Sequence, residues 1–227
     1  MMTYDWLLFD ADNTILDFNE AQRFALAQAL AEIGVEYQSA HNVIYDQINR
    51  TCWRAYEEGT LDKNQLRSKR FQLFFMEVGL KEDERAFGEN YLLHLSMSTA
   101  MMEGAIDLLG YLKKRYQLAL VTNGIKEVQR SRLKQSGLNE YFSFIAISDE
   151  IGVAKPHADF FHHVFEGIDH PSKERTLIIG DNLNADIKGG LNYGIDACWF
   201  NFDHRERYLE IDPTYEIRQL SELHSIL

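Results

Sequence analysis

Short apolar runs alternate along this chain with longer segments of helical period. Trp6–Phe9, Phe144–Ile147 and residues 118–121, 177–179 and 197–200 are apolar almost without interruption. Runs of that length, with little polar alternation, predict strands covered on both faces. Between the second and fifth of them single helices are predicted at Lys126–Gln135, 159–166 and 186–193. Gly137, Gly167 and Gly194 follow these segments and suit the left-handed position just past a helix C-terminus. Repeated strand–helix–strand units imply right-handed crossovers and a doubly wound parallel sheet, an α/β fold.

The interval from 17 to 100 breaks this rhythm. It holds no convincing strand, only helical stretches with loops near 34–39, 59–62 and 79–82. Asp62, with Gln65 three positions on, reads as a capping box opening a helix that runs through Met76. The interval is about the size of a small domain. The expected organisation is an α/β core of residues 1–16 and 101–227, with an all-helical insert of residues 17–100 after the first strand.

Composition narrows the functional classes. The chain has 227 residues, 45% hydrophobic and 26% charged, with only 3 Pro and 14 Gly, which excludes a disordered or collagenous chain. Its 23 Lys+Arg against 35 Asp+Glu give a net charge of −12. That balance argues against nucleic-acid or anionic-membrane partners. It leaves room for one small phosphate ester held by a metal and a local lysine. Cys52 and Cys198 match no metal or redox spacing and read as reduced core residues. The first apolar run stops at Asp10, with no basic segment before it, so the expected location is the cytoplasm.

In a parallel sheet of this type, ligands bind beyond the carboxyl ends of the strands. Polar clusters follow four of the apolar runs: Asp10-Ala11-Asp12-Asn13-Thr14, Thr122-Asn123-Gly124, Ala154-Lys155-Pro156, and Gly180-Asp181 leading to Asp186. Each alone has a plainer reading: Asx-turn and cap residues for the first, an ordinary turn for Thr122-Asn123-Gly124, a solvated lysine at a helix start for Lys155, and a tight turn with a capped helix for Gly180 to Asp186. Together, in order and each at the end of its own strand, they suggest a hard-cation site beside groups able to hold a phosphoryl oxygen.

Asp10-x-Asp12-x-Thr14, Thr122, Lys155-Pro156 and Gly180-Asp181-(x)4-Asp186 resemble the four motifs of the haloacid dehalogenase superfamily of aspartate-nucleophile phosphatases. The resemblance extends over essentially the whole chain, including a helical cap between the first two motifs. Val121-Thr122-Asn123-Gly124, residues 147–156 and Cys198-Trp199-Phe200-Asn201, with Trp53, Tyr56, Gly59, Arg70 and Phe71, look most like the noncanonical pyrimidine nucleotidases. Those enzymes are 5′-nucleotidases acting on nucleoside monophosphates. The resemblance implies that Asp10 is the nucleophile, forming an aspartyl-phosphate. It implies Asp12 as general acid and then base, and Mg²⁺ held by Asp10, the backbone carbonyl of Asp12 and Asp181. Thr122 and the Asn123 backbone N–H would bind the phosphoryl group. Lys155 would pair with Asp10 and the phosphoryl oxygens, with Asp186 behind them holding Lys155 or a metal-bound water. Asp12 favours a phosphatase over a dehalogenase, because halide leaves without a proton.

Substrate choice then falls to the helical insert. Trp53 and Tyr56 share a helix face and are available either to stack on a base or to make a helix–helix contact. Arg67 and Arg70 would reach a nucleotide or lie solvated at the surface. Phe18 would close over the ribose or pack between insert and core. Rival substrates are a sugar phosphate, phosphoglycolate and acylneuraminate phosphate. A non-catalytic phosphate-binding protein should have lost one of Asp10, Asp12, Lys155 or Asp181, and all four are present. A dinucleotide oxidoreductase should show G-x-G-x-x-G after the first strand, and the chain does not.

Overall fold

The computed structural model describes residues 4–206 and 210–227; residues 1–3 of the amino-terminal segment lie outside the described residues. Five strands fall on the apolar runs: β1 (Trp6–Phe9), β2 (Gln117–Thr122), β3 (Phe144–Ile147), β4 (Thr176–Gly180) and β5 (Asp196–Phe200). A sixth, β6 (Tyr215–Ile217), completes one sheet of order β3-β2-β1-β4-β5-β6, parallel throughout. Three residues with only Ile217 buried give β6 no pattern that a sequence can signal.

Ten helices accompany the strands among the described residues. They are α1 (Phe18–Glu32), α2 (Ser39–Glu57), α3 (Lys63–Val78), α4 (Glu84–Met97), α5 (Ala105–Leu112), α6 (Lys126–Gln135), α7 (Ser148–Ile151), α8 (Ala158–Gly167), α9 (Gly189–Tyr193) and α10 (Leu223–Ile226). The helix expected over 186–193 is divided: Leu183–Lys188 is a π-helical turn and only then does α9 follow. π turns recur at functional sites, and this one carries Asp186.

The unbroken apolar runs have a direct cause. Leu7, Phe9, Leu118, Leu120, Leu177 and Ile179 enter one buried layer, while Leu8, Ala119, Val121, Ile178 and Ala197 enter the other. Alternate residues point to opposite faces, so a sheet covered on both sides needs apolar residues at every position. Leu108, Leu109 and Leu112 of α5 fill the first layer; Phe160, Phe161 and Val164 of α8 fill the second. Cys198 is buried in the first layer and both cysteines are free.

The chain separates into two compact units, Met1–Phe18 with Thr99–Leu227, and Asn19–Ser98. The second unit is wholly helical. Its helix α3 starts at the expected capping box: Asp62 accepts from the Gln65 N–H at 2.9 Å, and the Gln65 side chain accepts from the Asp62 N–H at 2.8 Å. Its core is a cluster of rings, Tyr45, Phe71, Phe74, Phe87 and Tyr91, at centroid separations of 5.1 to 6.2 Å for the contacting pairs. Arg70 departs from the surface alternative considered for it. It is only 1% exposed, with its guanidinium 4.9 Å from the Phe71 ring centre, and it donates to Asn49 at 2.9 Å. Asn49 in turn donates to Gln22 at 3.1 Å. A buried polar relay therefore joins α1, α2 and α3. Trp53 and Tyr56 meet edge to face at 5.8 Å and pack against Cys52, Leu61 and Leu66, the helix-contact alternative. Arg67 is half-buried one turn before Arg70.

Candidate active site

The sheet order reverses beside β1: the chain proceeds to β2 and β3 on one side, then to β4, β5 and β6 on the other. The carboxyl ends of β1 and β4 diverge at that switch point, where open α/β sheets bind their ligands. Asp10 follows β1, Thr122 ends β2, and Asp181 follows β4. The loop after Asp10 turns tightly through Asn13, whose φ of 60° lies in the left-handed region that asparagine tolerates. The Ala11 carbonyl accepts from Ile15 and Leu16 at 3.0 and 2.8 Å, and Asn13 Oδ1 accepts from the Phe18 N–H at 3.1 Å. Those bonds tie Phe18, at the start of α1, to the loop that carries Asp10.

Lys155 lies at the centre of the acidic groups, 1% exposed. Its Nζ donates to Asp10 Oδ1 at 2.7 Å, to Asp186 Oδ1 at 2.6 Å and to the Val121 carbonyl at 2.6 Å, using all three donors. The Asn123 side chain grips the Lys155 backbone from both sides, donating to its carbonyl and accepting from its N–H, each at 2.9 Å. Asn123, expected only to offer a backbone N–H, thus also places the lysine. Asp186 uses its second oxygen to accept from the Asn182 N–H at 3.0 Å. This close seating requires glycine at 180: a Cβ there would lie 2.3 Å from the Asp186 carboxylate.

Asp181 is held from behind. Arg205 donates to its carbonyl at 2.8 Å and its carboxylate at 3.2 Å, and the Trp199 indole donates to the same carbonyl at 3.0 Å. Carboxylate oxygens of Asp10, Asp181 and Asp186 all lie within 4.8 Å of one another. Burial, followed by the charge of Asp186, pushes Asp181 up to about 7 despite Arg205. Burial also raises Asp10; Lys155 opposes that, while Asp186 and Asp181 reinforce it. Lys155 is raised in turn: burial acts against its charge, but Asp10 and Asp186 outweigh it. Three carboxylates therefore crowd one buried ammonium.

Asp12 is engaged at both oxygens, by Arg132 at 2.5 Å and Gln129 at 2.8 Å, and Gln129 also donates to Thr122 Oγ1 at 2.9 Å. The core residues singled out in the sequence thus fall into two groups, Asp10, Asn123, Lys155 and Asp186 with Asp181 beside them, and Asp12 joined to Thr122 through Gln129. Trp53, Tyr56, Arg67 and Arg70 belong to the separate helical unit.

The family model of the haloacid dehalogenase-like hydrolases matches residues 4–194. The chain belongs to this family. Among curated relatives of this hydrolase, the HAD-hydrolase YfnB of Bacillus subtilis is 40% identical over 227 residues, covering 100% of this chain and 97% of that protein. The pyrimidine 5′-nucleotidase PynA of Streptococcus pneumoniae is 40% identical over 98% of this chain and 94% of its own. YjjG of Escherichia coli, also a pyrimidine 5′-nucleotidase, is 31% identical over 100% and 99%. The crystal structure of YfnB bound to magnesium superposes with a TM-score of 0.94, covering 99% of each chain.

The residues of this hydrolase fit a divalent cation. Asp10, Asp181 and Asp186 supply only hard oxygen donors, as Mg²⁺ requires, and their mutual repulsion is the kind that a cation relieves. Gln129, Arg132 and Arg205 are the functional neighbours that the sequence reading missed. For two of them a signal existed. The buried positions of α6 are Val128, Gln129, Arg132 and Leu133, so two polar side chains stand on a face whose spacing calls for apolar ones. Arg205 lies outside any element, and only tertiary contact identifies it. No helix among the described residues is long and apolar enough to cross a membrane.

Proposed function

We propose that this hydrolase is a Mg²⁺-dependent phosphomonoesterase that works through an aspartyl-phosphate, and that its substrates are pyrimidine nucleoside 5′-monophosphates. The observation carrying the chemistry is the buried Lys155 ammonium shared between Asp10 and Asp186 beside Asp181. The nucleotide specificity rests on the similarity to PynA and YjjG.

Asp10 Oδ attacks phosphorus as the bond to the ester oxygen breaks, and Asp12 gives its proton to the departing alkoxide. Asp12 then takes a proton from the water that attacks the aspartyl-phosphate, releasing orthophosphate and restoring Asp10. Asp10, the Asp12 backbone carbonyl and Asp181 would hold Mg²⁺, which supplies neutralisation of the crowded carboxylates and the dianionic ester. Thr122 donates to a phosphoryl oxygen. Lys155 balances the charge that passes from ester to Asp10, and Asp186 with Asn123 fixes where that ammonium sits. The proposal includes a location in the cytoplasm, and takes a small phosphate ester as the partner of this acidic chain, with Lys155 as the local lysine that holds it. Of the residues expected to select base and ribose, Arg67 and Phe18 keep that proposed role; Trp53 and Tyr56, packed against Cys52, Leu61 and Leu66, and Arg70, bonded to Asn49, would act by bracing the helices.

A panel of phosphate esters assayed with Mg²⁺ tests the whole reading. Deoxypyrimidine monophosphates are expected to lead in kcat/KM. A higher value for a sugar phosphate, phosphoglycolate or acylneuraminate phosphate would overturn the nucleotidase assignment. Asp10→Asn is expected to abolish turnover; retained turnover rejects the covalent route, and undiminished activity in EDTA rejects the metal.

A further inference from the structure

We infer that Gln129 is a positioning residue that fixes the hydrogen-bond polarity of Thr122 and the orientation of Asp12 through a single amide group. This inference rests on the phosphatase reading above. Gln129, Arg132 and Thr122 are each 1% exposed, so the hydrogen bonds they make are shielded from water.

The direction of each bond follows from chemistry. The Asp12 carboxylate only accepts, which turns the Gln129 amide nitrogen toward it at 2.8 Å. The same nitrogen has a second hydrogen, and Thr122 Oγ1 lies 2.9 Å away. Thr122 therefore accepts from Gln129 rather than donating to it. Its other acceptor position takes the Gly124 N–H at 3.1 Å. A threonine hydroxyl has two acceptor positions and one hydrogen. With both acceptor positions filled by N–H groups, the hydrogen remains for an outside acceptor, and a phosphoryl oxygen is the acceptor that the site offers.

Two further features hold the amide in this role. Arg132 takes the other Asp12 oxygen at 2.5 Å, so the carboxylate is fixed at both ends. Gly124 leaves the space that Gln129 occupies: a Cβ at 124 would lie 2.4 Å from Gln129 Cγ. A chain of one-way donors thus runs from Arg132 and Gln129 into Asp12, and from Gln129 and Gly124 into Thr122. Asp12, expected as acid and base, and Thr122, expected to bind the phosphoryl group, are thus set by one side chain from α6.

Gln129→Glu and Gln129→Met, made with and without Thr122→Val, test the assignment. The readout is orthophosphate binding by titration calorimetry in Mg²⁺, which needs no turnover, with thermal melting to establish folding. Glutamate places an acceptor against Thr122, so the hydroxyl turns inward and is lost to phosphate. Methionine removes the donor but leaves the hydroxyl free to rotate. Affinity is expected to fall in the order wild type, Met, Glu, with the Glu variant weaker than wild type by about tenfold or more, the scale of a hydrogen bond to a charged group. On the Thr122→Val background the gap between the Met and Glu variants should narrow, leaving only the part due to the added charge. Equal affinity of wild type and Gln129→Glu, equal losses in Met and Glu, or an undiminished Glu effect without the hydroxyl would each overturn the inference. If Gln129→Glu does not fold, a Gln129→Met protein that binds phosphate as tightly as wild type overturns it equally. Wild-type protein that hydrolyses no phosphate ester would instead overturn the phosphatase reading itself. For turnover, a rise in sensitivity to the leaving group is expected in both variants, because a displaced Asp12 protonates a poor leaving group less well; a packing role alone would leave that sensitivity unchanged.

Discussion

Lys155 illustrates how one buried charge is made tolerable by its neighbours. A buried ammonium without partners would lose its proton or unfold the site; here three acceptors surround it and Asn123 fixes its backbone. Gly180 belongs to the same device, because its missing side chain is the room into which Asp186 fits. Gly180→Ala is therefore expected to displace Asp186 from Lys155 and to lower kcat by at least about tenfold, since supporting residues of this kind matter at that scale. Activity within twofold of wild type, measured on the best nucleotide, would show that Asp186 is not needed where it stands. The order of the motifs in the sequence located Asp10, Asp12, Thr122, Lys155, Asp181 and Asp186. It did not reveal what each one touches, because a hydrogen bond across 120 residues, such as Arg132 to Asp12, leaves no local pattern.

Helices and strands were legible in proportion to how far local interactions determine them. β1, β3 and α6 have the bounds that their patterns predict, and β2, β4 and β5 extend slightly beyond theirs. The start of α3 is legible because Asp62 and Gln65 satisfy each other's backbone groups without help from elsewhere. Asp62→Ala is expected to cost about 1 kcal/mol, read as a lower midpoint in urea, and Asp62→Asn should recover most of it; an unchanged midpoint for the alanine variant would mean that the cap contributes nothing. Arg70 was illegible for the opposite reason. An arginine on a helix is ordinarily a surface residue, and only the assembled helices supply the Tyr91 ring and Asn49 that make its burial tolerable. The π turn at Leu183–Lys188 was not legible either; Asp186 within it accepts from Lys155, 31 residues away, as well as from the Asn182 N–H.

At the scale of the molecule, the −12 charge acquires a local meaning in the α/β unit, where three carboxylates converge and burial makes two of them, Asp10 and Asp181, harder to ionise. A cation that binds them only in the folded state stabilises that state by about 2.7 kcal/mol at a hundred times its dissociation constant. Mg²⁺ is therefore expected to raise the melting temperature of this unit by several degrees over EDTA, and the Asp181→Asn variant should lose most of the rise. Identical melting curves in Mg²⁺ and EDTA would remove the metal site. The sequence by itself determined the doubly wound sheet, the helical character of the insert and the ring of residues at the strand ends, because alternation, period and strand-end placement are local or topological properties. Only the tertiary structure decided the pairing of Asp12 with Gln129 and Arg132, the seating of Asp186 against Gly180 and the burial of Arg70. Each depends on groups far apart in the chain meeting where water is excluded, and there an unpaired polar atom costs enough to dictate its partner.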